Sequence, residues 1–137
     1  YYSAKFLAGA IKDIELGFKT TFKPTESITA EGTINIAREH VGKVGITHVV
    51  IDAGPLGAFQ LNADGQFVSL DLASLNLIGS IEPRPLKGIE NLRVFDELIM
   101  EPLGVMSADL KIYFAYSVLE SELLIYSGSP LSIQIAE

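Results

Sequence analysis

Apolar and polar residues alternate with a period of two along much of this chain. Between Ser27 and Ile36, the residues Ile28, Ala30, Gly32, Ile34 and Ile36 fall on one side, and Thr29, Glu31, Thr33 and Asn35 on the other. That is the pattern of a half-buried antiparallel strand. The small residues Ala30 and Gly32 leave room there for a bulky neighbour on a facing sheet. The same alternation recurs in Leu110, Ile112, Phe114, Tyr116 and Val118 against Lys111, Tyr113, Ala115 and Ser117. The stretch from Ala108 to Ala136 reads as three strands separated by turns, and it organises the fold. Leu110 to Val118 is a central strand and Leu123 to Tyr126 its hairpin partner. Leu131 to Ala136 is a closing strand, entered at Pro130, where a missing N–H is tolerated.

The intervening segments fill in the same picture. Thr47 to Ala53 is β-branched and almost uninterrupted, which predicts a central strand covered on both faces. Before it, Ala37 to Gly45 is a connector with room for one helical turn, and Gly42 and Gly45 are its expected positive-φ positions. Gly54-Pro55-Leu56-Gly57 breaks the strand. Asp64-Gly65 predicts a hairpin joining Ala58–Asn62 to Gln66–Leu70, with Gly65 left-handed. The span from Asp71 to Gly88 is less regular. Leu72, Leu75, Leu77 and Ile78 fit a helical turn or a loop tucked beneath the sheets, and Pro83 and Pro85 restrict Ile81 to Leu86 to an edge or an extended crossover. Asn91 to Glu101 is a strand with a bulge at Asp96-Glu97, where the apolar parity slips. At the N-terminus, Lys12 to Phe22 reads as a strand closed by a turn at Pro24. For the first ten residues a strand extension, a helical turn and an arm all remain open.

About eight or nine short strands, with turn signals at intervals near 8–12 residues, predict an all-β antiparallel β-sandwich. No strand is followed by a clear amphipathic helix, which disfavours an α/β fold. The expected organisation is an N-terminal arm or extension over residues 1–10 and a single β-sandwich domain over 11–137. A chain of 137 residues has the length of one domain. Its mean hydropathy of +0.33 is high, yet no apolar run approaches the roughly 18 residues of a membrane span. Strands covered by a second sheet or by neighbouring molecules account for both. The net charge of −7 argues against nucleic acid, which selects a basic stripe, and against a polybasic membrane-surface role. The absence of cysteine removes disulfides, thiolate metal sites and a cysteine nucleophile. The start at Tyr1, without methionine or an apolar leader, fits either a processed mature chain or a fragment.

Five segments carry a family likeness. They are Ile28 to Ile36 (IT-EGTINI), Arg38 to Lys43 (REHVGK), the hydrophobic strand after it, Phe59 to Phe67 (FQLNADGQF), and Leu110 to Ile135 (LKIYFAYSVL, then LLIYSGSPLSIQI). Together, over about residues 27–136, they resemble a bacterial extracellular immunoglobulin-like β-sandwich module of the kind appended to surface and adhesion proteins. The resemblance implies an extracellular or cell-surface location and an immunoglobulin-like architecture, and it brings no catalytic motif.

The side chains that carry chemistry give no convergent signal. His40 and His48 are separated by a glycine-containing connector, so no regular spacing sets them on one metal; His48 is expected as a hydrogen-bonded core or edge residue and His40 as exposed. Asn62-Ala63-Asp64-Gly65 imitates the start of a calcium loop but lacks the bidentate glutamate that completes one. Asp96, Glu97 and Glu101 read as a charged edge that discourages sheet pairing, with Glu97 and Glu101 on one strand face. There is no G-x-S-x-G, and Gly42-Lys43-Val44-Gly45 is no phosphate loop. The expectation is therefore a protein that is not an enzyme, with no cofactor and no metal. The leading functional reading is a non-catalytic extracellular structural module, a filament or pilus-like subunit that self-associates by N-terminal strand exchange. Its subunit contacts are Tyr1, Tyr2, Phe6, Leu7 and Ile11. The alternative is a cell-surface adhesion or ligand-binding module for a glycan or protein, contacting it through Gly54–Gly57 and Ser80–Gly88.

Overall fold

The computed structural model describes residues 5–11, 21–71, 77–120, 123–126 and 130–136. Over these residues the protein is all-β, and no helix reaches seven residues. The strands are β1 (Lys5–Ile11), β2 (Thr21–Phe22), β3 (Ser27–Asn35), β4 (Val44–Asp52), β5 (Ala58–Leu61), β6 (Phe67–Ser69), β7 (Arg84–Pro85), β8 (Ile89–Ile99), β9 (Ala108–Val118), β10 (Leu123–Tyr126) and β11 (Leu131–Ile135). They form two sheets. The smaller has the order β1-β3-β8 and the larger β2-β11-β9-β4-β5-β6, with β10 also on β9 and β7 also on β4.

The β4–β9 pair is the axis of the larger sheet, in register from Gly45↔Val118 to Asp52↔Lys111. Each of these two strands divides its outer edge between two partners. Along β9, residues 108–112 pair with β11 and 115–118 with β10. Along β4, residues 50–52 pair with β5 and 44–45 with β7. The gap left on β4 is closed by the crossover, where Ser80 N–H donates to Thr47 O at 2.7 Å. All pairings are antiparallel except β2 with β11, which is parallel and makes the larger sheet mixed.

The two sheets share one core, and the period-two alternation decides what enters it. Ile28, Ala30 and Ile34 of β3 and Leu92, Val94 and Phe95 of β8 pack with Val49 and Ile51 of β4 and with Leu110, Ile112, Phe114, Tyr116 and Val118 of β9. Burying one large apolar side chain contributes roughly 1.5–3 kcal/mol, so these strands carry most of the cohesion. The room expected beside Ala30 and Gly32 is filled by Phe114, whose ring packs against the Gly32 backbone. The Asp64-Gly65 hairpin forms between β5 and β6, with Gly65 at φ 81°. Asn62 Oδ1 accepts from the N–H groups of Asp64 and Gln66 and fixes this turn.

The bulge expected at Asp96-Glu97 is also present. Between Ile28↔Leu98 and Ala30↔Phe95 the register slips, so Asp96 and Glu97 together face Thr29. Glu97 takes φ +51°, and its N–H donates to Thr29 Oγ1 at 3.1 Å.

Several expectations are corrected. Gly42 has a positive φ, but Gly45 does not. Gly45 lies inside β4, and a Cβ there would run into the carbonyl oxygen of Ser117, so close packing is what it serves. The strand expected to reach Glu101 ends at Ile99, and Glu101 opens a 3-10 turn, so Glu97 and Glu101 do not share a strand face. Of the strand expected over Lys12 to Phe22, Thr21–Phe22 is β2, and residues 12–20 lie outside the described residues, as do Leu72 and Leu75. Lys5–Ile11 is a strand on β3 of the same chain.

Candidate functional site

One end of the molecule carries a cleft built from two matching turns. β4 of the larger sheet and β8 of the smaller sheet both run out at this end. Each is followed by a 3-10 turn, Gly54–Leu56 after β4 and Glu101–Leu103 after β8, and each turn continues into a glycine. Both contain the tripeptide Pro-Leu-Gly. Proline fixes φ at the start of the turn, and Gly57 and Gly104 end it at φ 102° and 80°, values that favour glycine. Each terminal glycine donates its N–H back into its turn, Gly57 to Gly54 O and Gly104 to Glu101 O, both at 3.0 Å. Two short, stiff turns result, and each holds a leucine toward solvent. Leu56 is 49% and Leu103 62% exposed.

Between them lies an open cleft of about 350 Å³, and all eleven side chains that line it are apolar. Ile51 and Ala53 come from the end of β4, Phe59 from β5, Leu98 from β8, Met100 and Val105 from the flanks of the second turn, and Leu110 from β9. Phe67 reaches across from β6 to Phe95 of β8, with ring centroids 5.8 Å apart at 55°. Among the described residues, its lining presents hydrocarbon and offers no acid, base or nucleophile.

The two histidines lie elsewhere and apart. His48 is buried, as expected of a core residue. Its Nδ1 is 2.9 Å from Ile78 O, which can only accept, so Nδ1 carries the proton; Nε2, 2.9 Å from Ser117 Oγ, accepts from that hydroxyl. Burial holds its pKa below the ordinary value, and the bond to Ile78 works weakly the other way. His40 corrects the expectation of exposure, because it is only 4% exposed. The 3-10 turn Arg38–His40 sets its Nδ1 2.8 Å from the Tyr116 hydroxyl, with the rings edge to face. Among the described residues no group of three or more His, Asp or Glu side chains is placed to hold a metal.

A buried carboxylate at Glu90 escaped the sequence reading. Arg84 clasps it with both terminal guanidinium nitrogens, and Lys87 N–H donates to it at 2.8 Å. Burial alone raises the pKa of Glu90, but the Arg84 and Lys87 hydrogen bonds outweigh it and hold the carboxyl below its ordinary value. The group ties the β7–β8 connection down.

The expected contact residues fall into separate places. Phe6, Leu7 and Ile11 lie on β1, opposite Ile34, Thr33 and Thr29 of β3; Tyr1 and Tyr2 lie outside the described residues. β1 is an outer strand of the smaller sheet, and its whole length of seven residues is paired. Of the two loops expected to bind a ligand, Gly54–Gly57 forms one lip of the cleft. Ser80–Gly88 lies along the opposite end of β4, where β7 pairs with Val44 and Gly45. The cleft itself was missed. Its signal was the repetition of Pro-Leu-Gly at 55–57 and 102–104.

No protein-family model, curated protein or solved structure matches this chain. Among the described residues no helix is long and apolar enough to cross a membrane.

Proposed function

We propose that this chain is a non-catalytic structural module of a bacterial extracellular or cell-surface assembly, built as an immunoglobulin-like β-sandwich, whose copies join by exchange of the N-terminal strand. The connectivity supports the architecture. β1 pairs with β3 in one sheet while β2 crosses to run parallel with β11 in the other, and β3–β8 and β4–β9 are the central antiparallel pairs. The observation that carries the assembly reading is the position of β1. It is an outer strand of the smaller sheet, and among the described residues its seven-residue ladder with β3 accounts for all of its strand pairing. A neighbour's Lys5–Ile11 reproduces every one of these main-chain hydrogen bonds without new surface, which makes exchange a low-cost route to association. Passed head to tail, the exchange does not close and yields a filament.

Mixing two differently tagged preparations of the whole chain tests this. Co-purification of both tags in one oligomer is the expected result, and Gly9→Pro, which puts a strand-disfavoured residue in the middle of β1, suppresses it. A protein that stays monomeric at several hundred micromolar refutes it.

A second reading, a surface module that binds a ligand, is favoured by the placement of Gly54–Gly57 at the lip of an apolar cleft. Under this reading Leu103→Asp abolishes capture of the ligand while strand exchange continues.

A further inference from the structure

We propose that Ser117 is an acylation site: a nucleophilic hydroxyl, with His48 as its base, that takes one acyl group from an activated ester or thioester. The assignment is a modification of the chain and not turnover, so it stands beside the structural reading and does not depend on strand exchange. Three atoms carry it. Ser117 Oγ lies 2.9 Å from His48 Nε2, and His48 Nδ1 lies 2.9 Å from Ile78 O. The carbonyl oxygen can only accept, so it fixes the proton on Nδ1 and leaves the Nε2 lone pair aimed at the hydroxyl. Nucleophile, base and orienting group in that order are what activates a serine.

The fold sets each of the three. His48 of β4 pairs with Ala115 of β9, so Ser117, two residues on, is its diagonal neighbour on the same face of the larger sheet. The carbonyl arrives from the crossover that closes the gap on β4. Gly79 lets this segment lie close, since a Cβ there would be 3.2 Å from Ile46 Cβ and 2.8 Å from Ile81 O. Ile78 N–H donates to Gln60 Oε1 at 2.8 Å and Ser80 N–H to Thr47 O at 2.7 Å, so the carbonyl is anchored on both sides. His48 is buried, and burial favours its neutral form. Ser117 is only half-buried. A shielded neutral base therefore serves a residue that keeps part of its surface in solvent.

The same atoms limit the donor. A carboxylate beside Nδ1 would stabilise the imidazolium that forms as the proton arrives, whereas a neutral carbonyl orients the ring and offers it less charge. Acyl transfer is therefore confined to donors with good leaving groups. Ser117 Oγ adds to the acyl carbon and its proton passes to Nε2. The adduct collapses, the bond to the leaving oxygen or sulfur breaks, and Nε2 returns the proton to that atom. The products are an ester at Ser117, a phenol or thiol, and neutral His48. Ile46 and Leu124 stand directly opposite Ser117 on its two sides and share its face, and Leu124 is 41% exposed. These neighbours favour a short apolar acyl group over a charged one.

The test treats the whole chain with p-nitrophenyl acetate and maps the adduct by mass spectrometry. An acetyl group on Ser117 is expected, absent from Ser117→Ala and formed about 100-fold more slowly in His48→Gln, the scale of a lost general base. Ser117→Cys gives a second readout, which serves if His48→Gln does not fold, because the chain has no other cysteine. Iodoacetamide should alkylate that thiol readily at about pH 6, well below the ordinary thiol pKa of about 8.5. Acetylation confined to lysine, the N-terminal amine or His48 itself overturns the proposal. So does a rate at Ser117 that His48→Gln leaves unchanged, or a Ser117→Cys thiol that is inert at about pH 6. None of these readouts requires strand exchange, so either proposal can fail alone.

Discussion

The ring of Phe114 occupies the space in which a side chain at Gly32 would lie. A Cβ built on Gly32 falls 2.5 Å from Phe114 Cε1 and 2.6 Å from Cζ. Gly32 is on β3 of the smaller sheet and Phe114 on β9 of the larger, so this contact sets how closely the sheets approach. Overpacking a tight core site costs about 1–3 kcal/mol, and Gly32→Ala should lose that much in chemical denaturation. Phe114→Leu in the same chain should recover part of the loss. Strictly additive costs would show that the two residues do not meet.

The Tyr116 hydroxyl joins β9 to the β3–β4 connector. It accepts from Ala37 N–H at 3.4 Å and lies 2.8 Å from His40 Nδ1. Tyr116→Phe keeps the buried ring and removes both bonds, and with the usual penalty for a buried polar group losing its partner it should cost about 1–3 kcal/mol. Equilibrium unfolding in urea measures the cost. His40→Ala in the Tyr116→Phe background should add less than it does alone.

His48 makes stability depend on pH. Its folded pKa lies below the ordinary 6.5 because the ring is buried. On acidification the unfolded chain therefore takes up a proton before the folded chain does, and the equilibrium shifts toward unfolding. The stability associated with neutral His48 is complete above about pH 6.5 and is lost as pH falls from there through the lower folded value. His48→Gln should flatten this part of the stability profile, which thermal melts between pH 7.5 and 5 will show. An unchanged slope would mean that another group is responsible.

At the bulge, Glu97 holds φ +51°, a conformation that disfavours side chains, and its N–H is tied to Thr29 Oγ1. Glu97→Gly should leave stability unchanged or raise it by up to about 1 kcal/mol. Thr29→Val should lower it by about 1 kcal/mol through loss of the hydrogen bond. The denaturation midpoint of Thr29→Val should fall, whereas that of Glu97→Gly should not.

What was legible in the sequence was whatever depends on local periodicity. The faces of β3 and β9, the Asp64-Gly65 hairpin and the slip at Asp96-Glu97 each leave a mark within a few residues. The room beside Gly32 was legible as well, because a glycine on the apolar face of a strand implies a large neighbour. The burial of His40 was not, since it depends on Tyr116, which is remote in sequence. The Arg84–Glu90 pair was hidden because neither residue interrupts an apolar pattern. The cleft was hidden because its lips come from β4 and β8, which belong to different sheets. Gly45 was misjudged because a glycine kept for close packing and one kept for positive φ look alike in a sequence.

The most direct test of strand exchange uses the absence of cysteine from the chain. Leu7 and Thr33 face each other across the β1–β3 ladder, and Leu7→Cys with Thr33→Cys places a single thiol pair there. After mild oxidation at high protein concentration, a non-reducing gel should show a ladder of covalent dimers and higher oligomers that collapses on reduction. A double variant that oxidises completely yet runs only as monomer would contradict strand exchange and leave β1 as the edge strand of a self-contained domain.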